Sequence, residues 1–189
     1  MHPILIKLGP FAIYSYGVMV ALGFGLSTFL IYRRASKFGI DKDKVIDLAI
    51  LILFGGLIGA RLLYILLNIK YYTNNVIEIF NLSKGGLVWY GGFLSGLLSS
   101  IWYLKKNKIS FFSFADLAAP YIALAQSIGR VGCWLNGCCF GSETKGAGLS
   151  VIFPGSPVLR HPTQVYSSLA LLLIFIILTG TSTFADNKA

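Results

Sequence analysis

The sequence predicts an all-α fold, a polytopic membrane protein of about five transmembrane helices with its N-terminus outside. Three observations carry that reading. Of 189 residues, 56% are hydrophobic and 12% charged, against roughly 45–50% and 25% in ordinary soluble domains. The mean hydropathy is +0.74. The apolar residues also fall in long unbroken runs, the pattern of a chain whose solvent is lipid. Disorder, collagen-like repeats and a typical water-soluble enzyme are excluded. The net charge is +9, from 16 Lys and Arg against 7 Asp and Glu. Because the basic residues cluster between apolar runs, they set membrane orientation and imply no nucleic-acid partner.

The elements follow in order. A span needs about 20 mostly apolar residues. Residues 11–32, 45–67, 86–104 and 114–135 meet that requirement, and 163–179 sits at its lower limit. All belong to one membrane domain, 1–178, followed by a short polar tail, 179–189. The first basic cluster follows the first apolar run instead of preceding it, so this run is a retained helix and not a signal peptide. The first loop carries Arg33, Arg34, Lys37, Lys42 and Lys44, and the third carries Lys105, Lys106 and Lys108; the second has only Lys70 and Lys84. Loops one and three are therefore expected in the cytoplasm. Gly55 and Gly59, like Gly92 and Gly96, have the small-xxx-small spacing that lets helices approach closely in lipid.

Ionisable groups within membrane helices are costly and mark functional candidates. On the predicted orientation, Arg61, Tyr90, Gln126 and Arg130 gather toward the outer half of the bilayer, with Tyr14 and Tyr16 at the start of the first helix. Arg160, His161, Gln164 and Tyr166 stand at the entry to the fifth. Several have a second reading: Arg61 can snorkel to the interface, and the tyrosines can be interfacial anchors. Asp116 reads as a carboxylate favoured at a helix start. Arg130 is harder to dismiss. It lies in Gly129-Arg130-Val131-Gly132, and its guanidinium matches a phosphate or carboxylate with paired donors.

Cys133, Cys138 and Cys139 offer only a weak metal signal, because neither histidine has ligand-like spacing to them. A disulfide or a catalytic thiol is open, and small packing residues are the favoured reading.

Several segments together resemble the bacterial prolipoprotein diacylglyceryl transferase family. The most specific runs Gly129-Arg130-Val131-Gly132-Cys133-Trp134-Leu135-Asn136-Gly137-Cys138-Cys139-Phe140-Gly141. In the expected order stand Tyr16-Gly17, Gly59-Ala60-Arg61, the stretch Gly85 to Gly92, the stretch Ala115 to Pro120, and Arg160-His161-Pro162-Thr163-Gln164-Val165-Tyr166. The resemblance implies a multi-pass enzyme of the bacterial cytoplasmic membrane with its site open to the outer leaflet. Its substrates would be phosphatidylglycerol, a membrane lipid, and the lipobox cysteine in a prolipoprotein signal peptide; a thioether forms and glycerol phosphate leaves. No metal or cofactor is implied.

By the same resemblance, Arg130 and Tyr90 are the candidate catalytic residues and Tyr16, Arg61, Asn136, Gly141 and His161 substrate-binding ones; Gln126 and Arg160 join the substrate-binding set from the polar cluster itself. Tyr90 stands where well-known members carry a histidine. A phenol with a pKa near 10 is a poor base at neutral pH, so Tyr90 is assigned an orienting role. Family members continue past the fifth helix and carry a second essential arginine, which no residue here matches. The expectation is therefore a shortened member, either an active transferase or a homologue that binds phospholipid or prolipoprotein without turnover.

Overall fold

The computed structural model describes residues 1–8, 11–80, 85–146 and 148–186. In chain order the elements are β1 (Ile4–Leu8), β2 (Phe11–Tyr14), α1 (Ser15–Arg34), a 3-10 turn (Ala35–Phe38), α2 (Lys42–Leu67), α3 (Ile69–Asn74), a second 3-10 turn (Val76–Phe80), α4 (Trp89–Lys106), α5 (Phe111–Asn136), β3 (Val151–Ile152), β4 (Leu159–Arg160) and α6 (Thr163–Asp186). Lys84 of the second loop and residues 187–189 of the tail lie outside the described residues.

Four stretches among the described residues are long and apolar enough to cross a bilayer: Ser15–Phe38, Lys42–Leu67, Phe111–Asn136 and Thr163–Thr181. The chain is a polytopic, mostly helical membrane protein. The difference from the expected five lies in α4. It has 18 residues, and its sequence mixes Gly, Ser, Trp and Tyr with two lysines in the last turn.

Two compact units make up the chain: Met1–Arg33 with Asp116–Ala189, and Arg34–Ala115. In the first, β1 and β2 form an antiparallel hairpin with Lys7 opposite Ala12 and Ile6 opposite Ile13. Residues 11–14, expected as the start of the first helix, are thus a strand. A short apolar run cannot be told apart as helix or strand by hydropathy, and here residues rich in β-formers flank a Gly-Pro pair in the sequence. Ser15 closes the hairpin: its amide donates to the Pro3 carbonyl at 3.0 Å and its hydroxyl to that of His2.

Helices α1 and α5 run antiparallel and approach closely between Tyr16–Ser27 and Tyr121–Gly132. Ser27 Oγ donates to the Tyr121 carbonyl at 2.8 Å. A Cβ on Gly23 would stand 2.9 Å from the Ala125 carbonyl oxygen, and one on Gly132 would stand 2.9 Å from Met19 Cβ. α6 lies along α5 through a reciprocal pair, Ser127 Oγ to Ser168 O at 2.8 Å and Ser168 Oγ to Ser127 O at 3.0 Å. Asp116 lies a turn inside α5, which begins at Phe111, and so is not the helix start expected. α6 also continues to Asp186, through most of the expected polar tail. Extending a nucleated helix adds a hydrogen bond per residue fixed, so a run of Thr and Ser does not stop it.

In the second unit, Asp41 caps α2 by accepting from the Asp43 amide at 3.1 Å. α2 and α4 pack backbone to backbone. A Cβ on Gly91 would meet the Gly59 carbonyl oxygen at 2.4 Å, and one on Gly59 would meet Ser95 Oγ at 2.0 Å. The spacings Gly55/Gly59 and Gly92/Gly96 mark helices able to pack closely; in the fold Gly91 also enters the seam, and it makes its closest backbone approach. Ser95 Oγ donates across it to the Gly55 carbonyl at 2.8 Å.

Candidate functional site

The C-terminal end of α5 sets the geometry of the first unit. Gly137 adopts φ +70°, its amide donates to the Trp134 carbonyl at 3.1 Å, and the Cys138 amide donates to the Cys133 carbonyl at 3.1 Å. This is a Schellman termination, with Asn136 as the C-cap and glycine at the left-handed position. Asn136 thus sits where the helix stops and the chain turns back.

From there the loop folds on its own small core. Phe153 is 1% exposed and packs on Trp134 at 5.8 Å and Phe140 at 5.0 Å between ring centroids. Gly141 pairs with His161 through its amide, which donates to the His161 carbonyl at 2.9 Å. A Cβ at Gly141 would stand 2.6 Å from Thr163 Cγ2, so a side chain there would have to displace Thr163. The start of α6 holds the loop from the other side: Thr163 Oγ1 donates to the Cys139 carbonyl at 3.0 Å and Gln164 Nε2 to the Cys138 carbonyl at 2.6 Å. Gln164 is fully buried, and its Oε1 has no hydrogen-bond partner among the described residues.

Arg130 is exposed on α5 with Gln126 one turn earlier on the same face. Among the described residues it makes no ion pair. Tyr16, near the start of α1, is within electrostatic reach of it and of all three cysteines. The close approach of α1 at Gly132 explains this, since a Cβ there would lie 3.4 Å from the Tyr16 Cα.

Arg160 serves the loop itself. It pairs with Glu143 at 2.9 Å, donates to Ser156 Oγ at 3.1 Å and covers the Phe140 ring at 4.9 Å. The first unit therefore brings together Tyr16, Arg130 and the cysteines, while Asn136, Gly141, Arg160 and His161 build the loop that follows.

Arg61 and Tyr90 belong to the second unit. Arg61 is 8% exposed and donates to the carbonyls of Glu78, Ile79, Gly85 and Gly86 at 2.7, 3.0, 2.8 and 3.1 Å. Tyr64 and Tyr72 flank its guanidinium at 5.8 and 5.5 Å. It neither snorkels nor stands open. It ties the loop after α3 back onto α2. Tyr90 is exposed at the start of α4, edge-on to Trp89 at 5.3 Å.

Two features were not among the expected site residues. Gln164 is one; its polarity at a helix start was visible, but its burial was not. The other is the cysteine set, whose three sulfurs lie within 4.8 Å of one another, all as free thiols. Cys139 sits past the end of α5, and partial burial, then the neighbouring Cys138 thiol, push its pKa up from the ordinary value.

The fold is that of a polytopic, mostly helical membrane protein, and the turn that ends α5 lies within electrostatic reach of Arg130, which makes no ion pair among the described residues. The sequence profile of the prolipoprotein diacylglyceryl transferase family matches residues 3–188, and the chain belongs to that family. It is 40% identical over 193 residues to a phosphatidylglycerol–prolipoprotein diacylglyceryl transferase of Clostridium tetani (strain Massachusetts / E88), covering 100% of this chain and 77% of that one. It is 38% identical to a second such transferase, numbered 2, of Clostridium perfringens (strain 13 / Type A), over 83% of this chain and 63% of that protein. The transferase of Aliivibrio salmonicida (strain LFI1238) is 37% identical over 94% of this chain and 64% of its own length. The chain thus spans a little under two thirds of the last two.

Proposed function

We propose that this chain transfers the diacylglyceryl group of phosphatidylglycerol to the lipobox cysteine of prolipoproteins in a bacterial cytoplasmic membrane, working at the outer leaflet. The observation that carries the reading is Arg130, an exposed cation on a bilayer-length helix with no ion pair among the described residues. A charge in that position is costly unless it meets an anion, and the family's lipid substrate supplies a phosphate.

In this scheme the guanidinium takes the phosphate oxygens with paired donors. The substrate thiol loses its proton to water or to the lipid phosphate, and the sulfur attacks the diacylglyceryl carbon that bears the phosphate. A C–S bond forms as the C–O bond breaks, and the electron pair leaves with glycerol phosphate. Arg130 stabilises the charge gathering on that leaving group. Tyr16 lines the same place, and the Asn136–Gly141 turn shapes it. Arg61 and Arg160, both engaged by protein oxygens, brace their segments. Tyr90, exposed at the head of α4, is an orienting hydrogen-bond donor and not a base.

The test is a thioether assay. Purified chain receives phosphatidylglycerol and a lipobox peptide, and mass spectrometry detects the diacylglyceryl-modified cysteine. Product is expected, and Arg130→Ala should lose about 100-fold or more of the rate. A folded chain that binds the lipid yet forms no product would overturn the transferase reading and leave a phospholipid-binding member of the family.

A further inference from the structure

Going beyond that reaction, we propose that Cys133, Cys138 and Cys139 form a binding site for a soft divalent d10 cation, Zn2+ in the first instance, with one coordination position left open. The three sulfurs already lie within 4.8 Å of one another, with Cys138 and Cys139 at 3.6 Å. A tetrahedral zinc with Zn–S bonds near 2.3 Å places its sulfurs about 3.8 Å apart. Closing around the ion therefore needs side-chain shifts of about an ångström at most. Thiolate sets select soft cations over Mg2+ or Ca2+.

Local backbone geometry makes the site. In a Schellman termination the residue after the left-handed position folds back over the residue three before the cap, and their side chains meet. Those two residues here are Cys138 and Cys133. Cys139 then has φ +61°, an unusual conformation for a non-glycine residue, and its thiol lies against that of Cys138. Thr163 and Gln164 hold the carbonyls of Cys139 and Cys138, the kind of outer support that orients metal ligands.

Charge favours a divalent over a monovalent ion. Three thiolates around M2+ carry one net negative charge, and Arg130 lies within electrostatic reach of Cys133 and Cys139 to offset it. A monovalent ion would leave an excess negative charge, which is expensive near hydrocarbon. Three protein ligands leave tetrahedral zinc one open position, which water or a thiol can take.

Zinc binding to the full, reduced chain in detergent, measured by competition with a chromophoric chelator, tests this. One zinc per chain is expected. Cys133→Ser, Cys138→Ser and Cys139→Ser should each weaken binding by about 10-fold or more. Co2+ should give a thiolate-to-metal absorption band that is lost in each variant. Gly137→Ala, which strains the turn but keeps every thiol, should weaken binding while circular dichroism stays helical. Absent saturable binding, affinity indifferent to Cys133→Ser, or a disulfide within the set that persists under mild reductant would overturn the site. None of these results depends on diacylglyceryl transfer, so failure here leaves the transferase reading standing.

Discussion

Gly132 on α5 faces Met19 on α1 so closely that a Cβ at position 132 would stand 2.9 Å from the Met19 Cβ. The same crossing carries Tyr16 toward Arg130. Gly132→Leu should therefore cost more activity than stability explains. The check is the thioether assay beside thermal unfolding, with Gly25→Ala as control, since nothing lies within 4 Å of a Cβ there. Relief of glycine's helix penalty should leave that control neutral or about 1 kcal/mol more stable.

Gly91→Ala should loosen the second unit. The added methyl would meet the Gly59 carbonyl oxygen at 2.4 Å and Leu63 Cβ at 2.6 Å. Backbone cannot swing aside as a flexible side chain can, so a loss of about 1–3 kcal/mol is expected. Thermal unfolding in detergent, read against Gly25→Ala, measures it.

Arg61 holds four carbonyls from a buried position. Arg61→Ala leaves those acceptors without their charged donor, and a loss of at least about 3 kcal/mol follows. Arg61→Lys should not rescue, because one ammonium cannot reproduce the planar fork. Limited proteolysis near residues 75–86 should rise in both variants. An Arg61→Lys protein as resistant as the parent would contradict the clamp.

Cys139 should react slowly with iodoacetamide at neutral pH. Its raised pKa leaves less thiolate than an ordinary cysteine has there, and the thiolate is the nucleophile. The rate should climb with pH beyond the point where free cysteine levels off. Mass spectrometry of the modified peptide across a pH series reads this directly, and reaction at neutral pH as fast as free cysteine would refute it.

Much of the architecture was legible in the residues. Runs of apolar side chains give the four long spans, and the Gly55/Gly59 and Gly92/Gly96 spacings mark close helix packing, although not which helices pair. The hairpin formed by Ile4–Leu8 and Phe11–Tyr14 was not, because a continuous run of four or five mostly apolar residues does not separate strand from helix. Site chemistry divides the same way. Arg130 stands out by its glycine neighbours and makes no ion pair among the described residues. Arg61 looks identical in sequence, and its burial under the carbonyls of Glu78, Ile79, Gly85 and Gly86 depends on a return of the chain that no local pattern announces. That the Cys133, Cys138 and Cys139 thiols come together depends on the left-handed turn at Gly137, which residue spacing alone does not announce.

That glycine has a kinetic consequence as well. The Cys133–Cys139 turn closes over a handful of residues, so its contact order is minimal, and local closures of this size finish within about a microsecond. The turn can form as soon as its segment is free to fold, without waiting for α6 to dock. α6 then docks onto a loop that already has its shape, and Thr163 and Gln164 lock it in place.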